Sequence, residues 1–173
     1  MDLIKKLTGK NPAEYEIVAK NLVDNADVSL FEKLVKQDDF LFDFVKLNVS
    51  KRIQAVCNEN NYQNLLKFFD NYSSSYDSMF AEVLYKFGGI ELLPVVKELF
   101  LDESDSKKAY AAKFFSLVDK NLIQDILPLL RETSKSNFEP LAINSIEVLS
   151  KLNDEVSKLE ALENLDSNDE FIQ

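Results

Sequence analysis

The sequence predicts an all-α fold, with antiparallel helical hairpins stacked in single file as an α-solenoid. Three observations carry that expectation. Only three glycines and four prolines occur in 173 residues, too few for the tight turns of a sheet protein this size. Apolar residues recur at i, i+3, i+4 and i+7 along much of the chain, which is the spacing of one helix face. An apolar-apolar-proline-apolar-apolar block occurs twice, centred on Pro94 and Pro128, about 34 residues apart and so within the range of helical-pair repeats.

The elements follow in order. Pro12 sits at the N-terminal turn of a first helix that continues through Tyr15 to Val23. The stretch DNAD separates it from a second helix over Leu30 to Val35. Asp39 is placed to cap a short helix through Leu47, in which Phe40 and Phe44 share a face and Phe42 does not. A turn at Asn48 then opens another helix, with Val49, Ile53, Val56 and Cys57 on one side. Tyr62 to Asn71 carries Leu65, Leu66, Phe68 and Phe69, and Ser73, Ser74 and Ser75 follow as a turn and cap. Met79, Phe80, Val83, Leu84 and Phe87 form the partner helix, which Gly88 and Gly89 end.

The two clearest units come next. Leu92, Val95, Val96 and Leu99 form one stripe, widened by Leu93 and Phe100, with Pro94 in the first turn where backbone N–H groups lack intrahelical partners anyway. After a polar turn, with Ser104 or Asp105 as cap, Ala111, Phe114, Phe115 and Val118 form the second stripe. Ala109, Ala111 and Ala112 are small enough for another helix to approach closely. The next unit repeats the plan with Leu122, Ile126, Leu129 and Leu130, then Ala142, Ser145, Ile146, Leu149 and Leu152. The chain reads as one domain over 1–173. Residues 1–37 are divergent helices, 38–152 the repeats, and 153–173 an acidic cap or tail with a last helix over 155–165.

Bulk chemistry narrows the function. The formal net charge is −10, which disfavours a phosphate-backbone partner because such binding relies on Lys and Arg. Histidine is absent, which removes the commonest general base and metal ligand. A single cysteine, Cys57, cannot form an internal disulfide or a thiolate zinc site, and it reads as a small buried apolar residue. MDLIKKLTGK lacks the apolar stretch of a signal peptide, and no run approaches the ~18 apolar residues of a membrane span, so a cytoplasmic protein with no membrane partner is expected. The acidic turn at Asp102, Glu103 and Asp105 lacks the spacing of a calcium loop, and Gly88-Gly89 lacks the rest of a phosphate loop. No catalytic residue, cofactor or metal ligand is assigned.

The blocks LLPVVKEL (Leu92 to Leu99) and ILPLLRET (Ile126 to Thr133) resemble the first helix of HEAT repeats. Asp105 with Lys108, Ala111 and Ala112 resembles the turn and second helix of that family, and Asn48 with Arg52, Ala55 and Val56 resembles a further copy. The likeness is good over 89–152, weaker over 38–87 and poor over 1–37. Residues 139–142 and the 59–88 unit lack the basic residue of the pattern. The resemblance implies a right-handed solenoid whose second helices line a concave face.

From this follow the functional expectations. The first is a non-enzymatic scaffold holding a protein or peptide on the concave face. Its candidate contacts are the basic pairs Lys51–Arg52 and Lys107–Lys108, suited to an acidic peptide or phosphate, and the aromatics Tyr76 and Tyr110. The ordinary alternative for the basic pairs is a ladder of contacts to turn residues, and for the aromatics a Phe-rich core. The second expectation is a HEAT-like ligand-handling protein, of the bilin lyase or chaperone kind. A glycosylase-like nucleic-acid binder is less favoured, because it needs a basic concave face. A third is a solenoid that pairs with itself or caps a larger assembly.

Overall fold

The computed structural model describes residues 12–37 and 40–159, with side chains described for 13–37 and 43–159. Among the described residues the chain is helical and contains no strand. Its α-helices are α1 (Pro12–Asn25), α2 (Val28–Val35), α3 (Phe40–Val56), α4 (Asp77–Gly88), α5 (Leu93–Phe100), α6 (Asp105–Phe115), α7 (Leu127–Thr133) and α8 (Glu139–Lys151). Short 3-10 helices occupy Tyr62–Phe68, Gly89–Leu92, Lys120–Leu122 and Gln124–Ile126, and residues 155–159 are helical again.

The repeated proline block has one local structure in both copies. Pro94 and Pro128 each lie at the first positions of their helix, directly behind a 3-10 segment. The cause is the proline ring, which blocks the carbonyl four residues back and leaves no N–H to donate. The α-helix therefore cannot extend upstream, and the chain enters it through the tighter 3-10 turn. Leu92, Leu93, Val96 and Phe100 of the expected stripe are buried, whereas Val95 is exposed and Leu99 only partly covered, so the buried face lies toward the Leu93–Phe100 side of the stripe.

Caps and glycines define several of the other boundaries. Asp27 accepts a hydrogen bond from Leu30 N at 2.9 Å and starts α2. Ser104, rather than Asp105, caps α6 by accepting from Lys107 N at 3.4 Å. Gly89, at φ +53° and ψ −143°, ends α4 in a conformation that side-chain-bearing residues resist. Gly88 is required by space instead, because a Cβ there would lie 2.4 Å from Leu92 Cδ1.

The expected break at Asn48 does not exist. α3 runs unbroken for 17 residues, and the Asn48 side-chain amide donates to Phe44 O at 2.7 Å. With no Pro or Gly nearby, the amide bonds back to its own helix instead of ending it. Arg52 therefore lies mid-helix, not at the start of a second helix, and the Asn48–Arg52 copy of the motif is withdrawn. Phe44 is exposed. The cap assigned to Asp39 and the facing of Phe40 and Phe42 lie outside the described residues. Tyr62 to Asn71, expected as an α-helix, is 3-10 through Phe68.

The helices pack in a serial pattern. α1 packs on α3, α3 on α4, α4 on α6 and α6 on α8. The intervening segments each back onto the helix that follows them: Tyr62–Phe68 on α4, α5 on α6 and α7 on α8. α6 thus has neighbours on three sides, and Ala109, Tyr110, Ala111, Ala112, Phe114 and Phe115 are all buried. A helix enclosed this way must be apolar around most of its circumference.

Aromatic rings form a seam across the units. Phe31 meets Phe68 at 4.6 Å between centroids, Phe69 meets Tyr110 at 4.5 Å, and Tyr72 meets Tyr110 at 5.0 Å and Phe138 at 5.7 Å. At the C-terminal end, Asp154 accepts from Arg131 at 2.6 and 3.0 Å and from Ser157 N at 3.0 Å, capping the 155–159 turn and tying it to α7. Of the expected last helix, only 155–159 falls within the described residues.

Candidate interaction face

Two of the residues singled out for binding are not at the surface. Tyr76 is 0% exposed and Tyr110 1% exposed. Tyr76 packs edge-on against Phe31, and the Tyr110 hydroxyl accepts from Ser73 N at 3.0 Å and donates to Asn71 O at 3.3 Å. Burial pushes both phenols well above their ordinary pKa. They join helices rather than face a partner, which corrects that assignment.

The basic pairs are not equivalent to one another. Lys107 Nζ donates to Asp102 Oδ2 at 3.0 Å and reaches Asp70 Oδ1 at 3.2 Å, so it links the α5–α6 turn to the preceding unit. Hydrogen bonds from Lys107 to Asp102 and to Asp70 raise its pKa. Lys108 lies 4.0 Å from Asp105 on its own helix. Lys51 is exposed on α3 and Arg52 half-buried, and Arg52 adds its charge to the stronger Lys20 contact that holds the Glu16 carboxyl low. α4 lies between the two pairs, packing on both α3 and α6. Lys107 therefore belongs to the ladder of turn contacts, with two carboxylates already on its ammonium.

The arrangement that stands out is a cleft of about 390 Å³ where the start of α4 faces α6 and α8. Tyr72 and Ser74, Asp77 of α4, Lys113 of α6, and Glu139, Pro140, Ile143, Asn144 and Glu147 of α8 line it. Asp77 is the first residue of α4 and only 8% exposed. Its Oδ2 accepts from the Tyr72 hydroxyl at 2.7 Å and its Oδ1 from Ser78 N at 2.5 Å. Burial, then the bond to Asp77, drives the Tyr72 phenol above its usual range, with the Asn144 side chain opposing that rise.

α8 supplies the opposite wall. Asn144, 3% exposed, donates from Nδ2 to Ala109 O of α6 at 3.0 Å. Glu147 accepts from Lys113 of α6 at 2.5 Å and from Lys151 at 3.0 Å. Burial pushes the Glu147 carboxyl up, but the hydrogen bonds from the two lysines outweigh it and leave the group below the usual carboxylate range. Ile143 and Ile146 project outward, at 53% and 54% exposed, which corrects the placing of Ile146 on the buried stripe. The buried face of α8 is instead Leu141, Asn144, Ser145, Val148 and Leu149. Ser145 is accommodated there by the Thr133 hydroxyl at 2.8 Å.

Asp77, Lys113, Asn144 and Glu147 were missed by sequence reasoning, although a signal for part of the set exists. Lys113 and Glu147 are 34 residues apart, and Ala109 and Asn144 are 35 apart. α6 and α8 pack side by side, and a separation close to that of Pro94 and Pro128 sets these residues opposite each other across the contact. Chemically the cleft offers a buried carboxylate, a lysine–glutamate pair and an aromatic wall. Among the described residues no cluster of potential ligands could hold a metal ion, and no helix is long and apolar enough to cross a membrane. No family model, no curated protein and no solved structure matches this chain.

Proposed function

We propose that the chain is a cytoplasmic, non-enzymatic HEAT-like scaffold that holds a protein or peptide along the face formed by α4, α6 and α8. The observation that carries this reading is the cleft between those helices with Ile143 and Ile146 exposed beside it. Consecutive second helices packed side by side support a solenoid, because each hairpin is apolar on more than one side and needs neighbours to cover it. In a HEAT-like solenoid those second helices form the inner surface, where a partner lies against several repeats at once. Exposed aliphatic residues beside a polar-lined cleft suit a peptide or protein better than a compact enclosed ligand.

The test uses a paired capture from the native lysate. The parent protein and an Ile143→Glu, Ile146→Glu variant are used as baits, and retained proteins are identified by mass spectrometry and then reconstituted from purified components. The proposal expects at least one protein that binds the parent and not the variant, and that does so in purified form. Both isoleucines are exposed, so the variant should fold as the parent does. A partner that binds both baits equally, or enrichment of nucleic acid or a pigment instead of protein, overturns the proposal.

A further inference from the structure

The chemistry of the cleft points to the kind of side chain it receives. Asp77 is more than nine-tenths buried, yet its hydrogen-bond donors, Tyr72 and Ser78, are both neutral. Among the described residues no Lys or Arg forms an ion pair with it. A desolvated carboxylate is costly unless a cation or dipole compensates it, and here the Tyr72 hydroxyl and the start of α4 supply dipoles but no cation. The one ammonium in the lining, Lys113, is held by Glu147. Asp77, Glu139 and Glu147 set against Lys113 leave the lining negative, on a chain whose net charge is already −10. Tyr72, Pro140 and Ile143 add an aromatic ring and apolar walls that match a methylene stem ending in a cation.

We propose that this cleft seats a lysine or arginine side chain of the partner, with Asp77 as its counter-ion. The proposal rests on the scaffold reading and reverses the charge of partner expected from the basic pairs. It makes the partner segment basic, anchored by one long cationic residue, with Ile143 and Ile146 against its apolar neighbours.

The test is an amide-shift NMR titration with three small probes: the Nα-acetyl N-methylamides of lysine, arginine and norleucine. The lysine and arginine probes should give saturable shifts at Tyr72, Ser78, Ile143 and Glu147, and norleucine should not. Asp77→Asn removes the charge but keeps an oxygen acceptor, and should weaken the cationic probes by about tenfold or more. Should Asp77→Asn fail to fold, Ile143→Lys at the exposed mouth supplies a competing ammonium and should abolish the same shifts. An equal response to norleucine, no saturable response, or unchanged binding in the folded variants overturns the proposal. A protein partner that perturbs the same amides while the probes do not would leave the scaffold reading standing and remove this assignment alone. Probe binding without any protein partner would overturn both, since the cleft would then be a cation site with no partner side chain to seat.

Discussion

Ala112→Glu tests the packing argument most directly. Ala112 is 0% exposed on α6, which is enclosed by α4, α5 and α8. A glutamate there must either bury its charge or take up a proton. Taking up a proton is the cheaper route, and at pH 7 it costs about 1.4 kcal/mol per pH unit above an ordinary pKa near 4.3, or about 3.7 kcal/mol. Inserting the longer side chain between close helices adds about 1–3 kcal/mol of overpacking. Domains are stable by only about 5–15 kcal/mol in total, so the substitution removes a large share or all of it. Each kcal/mol shifts the midpoint by roughly 2–4 °C at this size, giving a fall of roughly 10 °C or more, or no cooperative transition. Thermal melts followed by far-UV circular dichroism read the effect, with Ala111→Glu as a replicate and Lys51→Gln on exposed α3 as a control within about 2 °C of the parent. If both alanine variants melt like the parent, α6 is not enclosed and the serial packing is wrong.

Asp154→Asn should lower stability at pH 7 by about 1.5–3 kcal/mol, because a nearly buried acceptor loses a charge-assisted bond from Arg131. Bonds from Arg131, then from Ser157, hold the Asp154 carboxyl well below its ordinary pKa, so its contribution is complete above about pH 4 and is lost as pH falls further. Urea midpoints of parent and variant should therefore differ at pH 7 and converge at strongly acid pH; a gap unchanged by pH would remove the ion-pair explanation. Gly89→Ala should cost about 1–3 kcal/mol through backbone strain at φ +53°, measurable in the same urea titration, and a neutral result would refute the assigned conformation. Burial, with a smaller push from the Asp24 charge, raises the Cys57 thiol to about 12, so iodoacetamide at pH 8 should label it slowly in the folded protein and fast in urea. Equal rates in both would show an accessible thiol.

Much of the architecture was legible because it depends on local rules. Proline at Pro94 and Pro128 fixes a helix start, Gly89 fixes an end, and Ala109, Ala111 and Ala112 mark a helix that others approach closely. Of the apolar stripe on α5, Leu93, Val96 and Phe100 are buried and Val95 is not, because which flank of a wide stripe is covered depends on the helix packed against it, here α6, and not on periodicity. The break at Asn48 was misread because one side chain can either end a helix or bond back along it.

By itself, the amino-acid order determined the all-helical class, the proline-marked helix starts and the repeat interval, since each follows from the conformational limits of nearby residues. Only the tertiary structure decided that Tyr76 and Tyr110 lie inside, that Lys107 is shared between Asp70 and Asp102, and that Asp77, Lys113 and Glu147 border one cleft. Those outcomes depend on groups some 30 or more residues apart, such as Tyr110 with Asn71 or Lys113 with Glu147. Whether a phenol or a carboxylate meets water is settled by which helix packs against it, and that choice is made between hairpins rather than within them.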